Sequence, residues 1–144
     1  MVSLYSADLA DVRINWDFVE TGLKTIIGKN ASDFIPADIY AAIANKELFL
    51  YWLISGTDTI GFGVFSVGDT SYSKSKALYI DHGYVDPKYK MGWRDSVELD
   101  AALEDLAKEI GCARLEFNSP RMGWGRRLRK LGWQPLTVTY KRDL

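Results

Sequence analysis

Residues 77–111, ALYIDHGYVDPKYKMGWRDSVELDAALEDLAKEIG, decide the fold because they join a strand to a long helix through one short turn. The first nine residues alternate as a strand does, with successive side chains on opposite faces. One face is predicted to carry Leu78, Ile80, His82 and Tyr84. The opposite face is predicted to carry Tyr79, Asp81 and Val85. Asp86-Pro87 then ends the strand.

The helix that follows the turn has its own start and stop patterns. Asp95 is predicted to be the N-cap, with Glu98 three residues later completing a capping box. An apolar stripe at steps of four, three and four predicts a buried face, and Gly111 is predicted to end the helix. The stripe consists of Leu99, Leu103, Leu106 and Ile110. A turn with free amides before a helix favours an anionic ligand, although a plain strand-to-helix connection explains the same pattern.

The other segments predict an α/β chain organised as one domain over residues 1–144. Its predicted order is strand, two helices, three strands, helix, strand, helix, strand. Asp8 is predicted to cap the first helix, which would end at Gly28. Residues 36–46 predict the second helix, and residues 121–131 the last one, closed by Gly132. The other predicted strands are residues 3–6, 48–54, 60–67, 113–118 and 136–141.

Composition excludes several classes of protein. One cysteine, Cys112, rules out an internal disulfide framework, and one histidine, His82, rules out a His-rich metal cluster. No Cys, His and carboxylate spacing suggests a metal site. The longest apolar run, residues 48–54, is too short to span a bilayer, and no apolar signal core is present at the N-terminus. These features predict a soluble, cytoplasmic protein with no membrane partner.

Charge is distributed unevenly along the chain. Residues 1–118 hold 11 Lys and Arg against 18 Asp and Glu, whereas residues 119–144 hold 7 against 1. The basic residues of the last predicted helix are Arg121, Arg126, Arg127, Arg129 and Lys130. Interleaved with Trp124 and Trp133, they suggest binding to nucleic acid or another anionic partner. Alternatively, the tryptophans and leucines form a buried stripe and the arginines are a solvated face.

Two motifs, Tyr84-Val-Asp-Pro-Lys-Tyr-Lys-Met-Gly-Trp93 and Arg129-Lys-Leu-Gly-Trp133, together with the element order, resemble the GCN5-related N-acetyltransferase family. The resemblance covers the whole chain and implies a mixed sheet, flanked by about four helices, that splays beside its central strand. In that family acetyl-coenzyme A enters the gap, and its pyrophosphate sits on a turn of pattern Arg/Gln-x-x-Gly-x-Gly/Ala. The cofactor-binding residues implied here are Val85, Lys90, Met91, Gly92, Trp93, Arg94 and Asp95.

Three positions depart from the family pattern. With Gly92 as the first glycine of the turn, Tyr89 stands where Arg or Gln belongs, and Arg94 stands where a second Gly or Ala belongs. The Arg94 guanidinium can attract phosphate or fill the space that the pyrophosphate would need. Many family members also protonate the departing thiolate with a tyrosine on the last helix, where this chain has Leu128.

A narrower resemblance implies a different role. Gly111-Cys-Ala-Arg-Leu-Glu-Phe117 and Arg121-Met-Gly-Trp-Gly-Arg-Arg-Leu-Arg-Lys-Leu-Gly-Trp133 look like segments of small acetyltransferase-fold proteins encoded by tailed phages. Such proteins commonly lack clear catalytic residues. This resemblance implies a virion protein, or a protein that contacts a host protein, located in the virion or the host cytoplasm.

Acyl transfer to an amine requires a base for the ammonium and an acid for the sulfur. His82 is the candidate base and Tyr84 the candidate acid, with a small-molecule or protein amine as acceptor. Each also has a structural reading: His82 as a histidine hydrogen-bonded within the sheet, and Tyr84 as a packed aromatic. Cys112 is read as a core residue and Glu116 as a solvated strand position. Acyl transfer, a non-catalytic virion or host-interaction role and nucleic-acid association therefore all remain open.

Overall fold

A computed structural model describes residues 1–30, 34–70, 75–118, 124–136 and 140–144. Across these residues the chain forms one mixed sheet of five strands, in the order β1-β2-β3-β4-β5, and five helices. The strands are β1 (Val2–Ser6), β2 (Phe49–Ser55), β3 (Asp58–Asp69), β4 (Lys76–Val85) and β5 (Arg114–Phe117). The helices are α1 (Leu9–Ile14), α2 (Trp16–Asn30), α3 (Pro36–Ala44), α4 (Trp93–Ile110) and α5 (Trp124–Lys130). The predicted α/β class with a mixed central sheet is confirmed.

The sheet is antiparallel from β1 to β4 and parallel between β4 and β5. Helices pack on both faces because alternate strand residues are apolar on each side. On one face Leu23 and Val19 of α2 pack with Leu50, Phe62 and Val64 of the sheet. On the other face the apolar stripe of α4 packs against β4 and its neighbours; its buried members include Leu103 and Leu106.

The first predicted helix is broken at Asn15 into α1 and α2. The described residues therefore form five helices, where the resemblance implied about four. Asp8 is the N-cap of α1, as predicted, because its Oδ1 accepts the Asp11 N–H at 2.8 Å. Asn15 then folds its Nδ2 back onto the Asp11 carbonyl at 2.9 Å, while its own carbonyl accepts N–H groups from Phe18 and Val19. One side chain therefore ends α1, and the same residue begins α2.

The start of α4 also differs from the prediction. The helix begins at Trp93 with Gly92 as N-cap, and Asp95 is the third helical residue instead of the cap. Asp95 Oδ2 accepts the Gly92 N–H at 3.0 Å. Glu98 does not complete a capping box, because its Oε2 accepts the Val2 N–H of β1 at 2.7 Å. A contact between residues 96 apart has replaced the predicted local one.

Two of the three predicted glycine stops are confirmed, those at Gly111 and Gly132. The stop predicted at Gly28 is wrong, because α2 continues through it to Asn30. Gly111 ends α4 with φ 91°, and Gly132 follows α5 with φ 90°, values that glycine adopts without steric cost. The last predicted helix is seen as α5 from Trp124, and residues 121–123 lie outside the described residues. The predicted strand over residues 136–141 also lies partly outside them, since 137–139 are not described.

Candidate functional site

β4 and β5 separate partway along the sheet and leave an open edge. They pair only over Ala77–Ile80 and Arg114–Phe117, where Ile80 faces Phe117. β4 runs on to Val85, and within the described residues no strand pairs with this last part of β4 on the β5 side. A cavity of about 530 Å³ lies at this gap. That volume is within the range usual for small-molecule sites.

A β-bulge at Asp81 sets which side of the sheet each side chain in the second half of β4 occupies. Val64 pairs with His82 and Phe65 pairs with Ile80, so Asp81 is an extra residue on β4. Ile80 packs with the α4 side of the sheet, whereas Tyr84 packs with the α2 side. The predicted alternation placed Leu78, Ile80, His82 and Tyr84 on one face. It is wrong beyond Ile80, because the inserted residue reverses the sides.

The backbone of β4 presents unpaired polar groups to the gap. Asp86 donates its N–H to the Ile60 carbonyl at 2.7 Å, so Asp86 and Ile60 are a hydrogen-bonded pair of the β3–β4 ladder. Hydrogen-bonded pairs alternate in an antiparallel ladder, so Gly83 and Val85 turn their N–H and C=O groups away from β3. Both residues line the cavity. An extended ligand with amide groups can pair with such an edge as an added strand would.

The cavity is lined from both faces of the sheet. Residues on the α2 side include Thr25, Ile26, Phe62, His82 and Tyr84. Residues on the α4 side include Leu53, Phe65, Ile80, Leu99 and Leu103. Leu128, Leu131 and Trp133 line it from α5 and the segment after it. Two ligands can therefore meet at the gap from opposite sides of the sheet, which is the arrangement that a group transfer requires.

His82 lies at the α2 side of this gap in apolar surroundings. The centroid of its ring is 4.4 Å from that of Phe34. Burial lowers the pKa of His82 below its ordinary value of 6.5, and the nearby Asp81 carboxylate opposes this effect only in part. The imidazole is therefore neutral near pH 7 and able to accept a proton.

Because His82 is the sole histidine in the chain, its titration can be followed without assignment. We expect its imidazole signal in NMR to titrate with a midpoint below 6.5. A depressed pKa in the folded state means that the unfolded state binds more protons. The free energy of unfolding should therefore fall as pH drops from 6.5 towards the folded-state pKa, and His82→Gln should remove that slope. A midpoint above 6.5 would contradict the burial seen here.

Tyr84 lies on the same face as His82 and contacts two other rings. Its ring centroid is 5.5 Å from that of Phe62 and 5.9 Å from that of Phe18. Burial raises the pKa of Tyr84 above 10.0, and the Asp86 carboxylate raises it further. The phenol thus keeps its proton at neutral pH. Among the described residues its hydroxyl has no hydrogen-bond partner in the protein, so the proton is available to a ligand.

The turn before α4 is held by its own side chains. The Tyr89 hydroxyl lies 3.0 Å from Ser55 Oγ and donates to Asp95 Oδ1 at 3.3 Å. Asp95 Oδ2 accepts the Gly92 N–H. Tyr89, which stands where the family pattern has Arg or Gln, therefore braces the turn against β2. The Gly92 amide is already bound to a carboxylate.

Arg94 does not fill the cavity. Its side chain is 92% exposed, and its Nε donates to Glu98 Oε1 at 3.2 Å along the outside of α4. Of the predicted site residues, His82, Tyr84, Val85 and Met91 line the cavity. The others lie around the turn and outside the lining: Lys90, Gly92, Trp93, Arg94 and Asp95.

Several lining residues were missed by the sequence analysis. Gly83 carries no side chain, and a Cβ built there would meet no atom within 4 Å. A glycine inside a strand is the pattern that could have indicated it, because such glycines often mark a close backbone approach. Asn118 lines the cavity just after β5, and Arg127 reaches it from α5. Cys112 is buried in the core beneath α4, as expected.

None of the helices in the described ranges is long and apolar enough to cross a bilayer. The described side chains likewise contain no cluster of three or more His, Cys, Asp or Glu able to hold a metal ion.

Comparisons with solved structures identify the fold. A predicted acetyltransferase from Clostridium acetobutylicum, solved with acetyl-CoA, has a TM-score of 0.67 at 15% identity and covers 99% of this chain and 96% of its own. Ribosomal-protein-alanine N-acetyltransferase from Brucella melitensis biovar Abortus 2308 has a TM-score of 0.70 at 17% identity, covering 99% and 98%. An aminoglycoside acetyltransferase from an uncultured soil sample, in complex with sisomicin, has a TM-score of 0.68 at 13% identity, covering 99% and 96%.

These likenesses establish that the chain has the GCN5-related N-acetyltransferase fold. Sequence identities of this size are evidence for the fold alone. No protein-family model matches the sequence, and no curated protein matches it significantly.

Proposed function

We propose that this protein is an acyl-coenzyme A-dependent N-acyltransferase that acts on an amine. The observation that carries the proposal is the cavity at the β4–β5 gap, which is lined from both faces of the sheet and has His82 and Tyr84 beside it. Acetyl-coenzyme A would supply the acyl group as a thioester. The remaining chemistry falls to the residues of this chain.

The site fits the coenzyme in shape and in polar groups. The pantetheine arm is an extended chain with amide groups, and the open edge of β4 offers Gly83 and Val85 as backbone partners for it. Leu99, Leu103 and Leu128 supply an apolar wall along the same cavity. The Met91 side chain lines the cavity below the turn, where the family resemblance implies the pyrophosphate would lie.

His82 and Tyr84 can perform the two proton transfers. The neutral imidazole of His82 would take the proton from the acceptor ammonium, directly or through water. The protonated phenol of Tyr84 would give its proton to the departing sulfur, a role that the hydrocarbon Leu128 cannot fill. Asp81 and Asp86 also line the cavity, so a cationic acceptor would meet favourable charge. The names of two structural neighbours, an N-acetyltransferase and an aminoglycoside acetyltransferase, support a nitrogen acceptor.

Tyr84→Phe tests the proposal most directly. We expect the variant to bind acetyl-coenzyme A as the wild type does in calorimetry, because only a hydroxyl that has no hydrogen-bond partner among the described residues is lost. Its rate of thiol release with a panel of primary amines should fall about 100-fold, the usual contribution of a general acid. Adding Leu128→Tyr should restore part of that rate, since it places a phenol on the cavity wall. No calorimetric signal with the wild type would refute the proposed function.

The non-catalytic phage role remains a second proposal. It is favoured by one observation, that Leu128 lines the cavity where the family resemblance implies a proton donor. It predicts that the chain is present in purified virions at fixed stoichiometry, and its absence there would exclude a virion component. Association with nucleic acid stays a prediction. It requires that retention on DNA or RNA weaken steeply with salt.

A further inference from the structure

The basic residues of α5 do not all face the same surroundings. Four of its seven residues are Arg or Lys, and the helix contains no acidic residue. Arg127 lines the cavity. Lys130 follows three residues later, so it lies next to Arg127 on the helix surface. All four basic residues are exposed, and Arg126, Arg129 and Lys130 do not line the cavity.

Lys130 reaches the N-terminus of α4. Its Nζ lies 5.9 Å from the ring centroid of Trp93, the first residue of that helix. A cation held over an indole face at this distance is attracted by the ring. The ammonium is thereby positioned beside the end of α4 at which N–H groups and the helix dipole favour negative charge.

The segment after α5 fixes this arrangement. Trp133 donates its Nε1–H to Asp100 Oδ1 of α4 at 2.8 Å. Leu128 and Leu131 line the cavity on the same side as Trp133. The Trp133 hydrogen bond therefore anchors the segment after α5 to α4 beside the cavity.

The turn before α4 lies at a helix N-terminus, but its Gly92 amide and its Arg94 side chain are not free to bind a phosphate. The Gly92 N–H is occupied by the Asp95 carboxylate, whose negative charge opposes an anion at that point. Arg94 is directed away along α4 to Glu98. Arg127 and Lys130, in contrast, have no carboxylate within salt-bridge distance in the part of the chain that the structure describes. Arg127 at the cavity and Lys130 beside Trp93 therefore carry charges that no described carboxylate pairs with.

We propose that Arg127 and Lys130 form a phosphate-binding site for the nucleotide end of the thioester carrier. The inference rests on the proposed function and specifies how the coenzyme is held: side-chain charge from α5 binds its phosphates, where the Gly92 amide of the turn is already occupied by Asp95. Arg127 would bind a phosphate through its planar fork, and Lys130 would act as a point charge. Carriers without the nucleotide phosphates would bind weakly.

Calorimetry with the intact chain tests this site. The ligands are coenzyme A, dephospho-coenzyme A and pantetheine, and the variants are Arg127→Ala and Lys130→Ala. Each variant should bind coenzyme A roughly tenfold more weakly than the wild type, the loss expected for one charge-assisted contact. Arg126→Ala and Arg129→Ala are matched controls on the same helix and should bind as the wild type. Wild-type protein should prefer coenzyme A to pantetheine by at least about tenfold.

The outcomes separate the two proposals. If coenzyme A binds the wild type, but Arg127→Ala and Lys130→Ala bind it equally well, the phosphate site is refuted and the acyltransferase proposal stands. An equal loss in the Arg126 and Arg129 controls would indicate general charge or a nucleic-acid surface and would also refute the site. If neither coenzyme A nor pantetheine binds the wild type, the proposed function fails and this inference fails with it.

Discussion

Replacing Gly83 with phenylalanine is expected to abolish coenzyme A binding while the chain still folds. Gly83 lies at the open edge of β4, where a Cβ would meet no atom within 4 Å and would point into free space at the cavity. A benzyl group there would occupy the room needed by the pantetheine arm. Phenylalanine is also a good strand residue, so β4 should tolerate it. We expect affinity in calorimetry to fall at least about 100-fold.

Gly83→Ala is the matched control for this experiment. A methyl group at the same position adds little volume, so binding should change only a few-fold. Thermal unfolding of both variants should stay close to that of the wild type, because the site of substitution is open. If Gly83→Phe binds coenzyme A as tightly as the wild type does, the carrier does not lie along β4, and the site described above is not the acyl-carrier site.

Gly61→Ala is expected to have the largest effect on stability. A Cβ at Gly61 would overlap the backbone carbonyl oxygen of Tyr84 and lie 3.0 Å from Val85 Cα. Backbone atoms in paired strands cannot move aside as a flexible side chain can. β3 and β4 would have to separate just where β4 lines the cavity. We expect the free energy of unfolding in urea to fall by about 3 kcal/mol or more.

The comparison for this prediction is again Gly83→Ala, the same substitution in the neighbouring strand. It should change the free energy of unfolding by no more than about 0.5 kcal/mol, because nothing lies within 4 Å of the added methyl. Similar unfolding midpoints for Gly61→Ala and Gly83→Ala would show that β3 and β4 are not as close at Gly61 as described here.

Helix caps, helix stops and side-chain periodicity could be predicted from the sequence because they depend on residues close together in the chain. Asp8 and Asp11 form a cap within one turn, and the glycines at 111 and 132 stop helices because of their own backbone freedom. The apolar stripe of α4 and the alternation of the first half of β4 follow from the periods of helix and strand. Each of these depends on residues a few positions apart, so the sequence carries the information directly.

The candidate site was only partly predictable. His82 and Tyr84 were identified as residues close to the turn, but the face they occupy was not, because the Asp81 bulge depends on how β4 pairs with β3. Gly83 and Arg127 were not recognised as lining residues. A glycine inside a strand could have indicated Gly83, but its place at the cavity depends on the separation of β4 from β5. The place of Arg127 depends on the docking of α5, which leaves no local pattern.

The sequence by itself determined most of the strands and helices and their order, and that the apolar stripe of α4 would pack against the sheet. The tertiary structure decided which groups are free to act. Glu98 binds the Val2 amide of a distant strand, Asp95 binds the Gly92 amide, and Arg94 is drawn away from the cavity. A polar group forms a hydrogen bond with whichever partner lies close to it in space. The distances between such groups are set only once the strands have paired and α4 has packed across them.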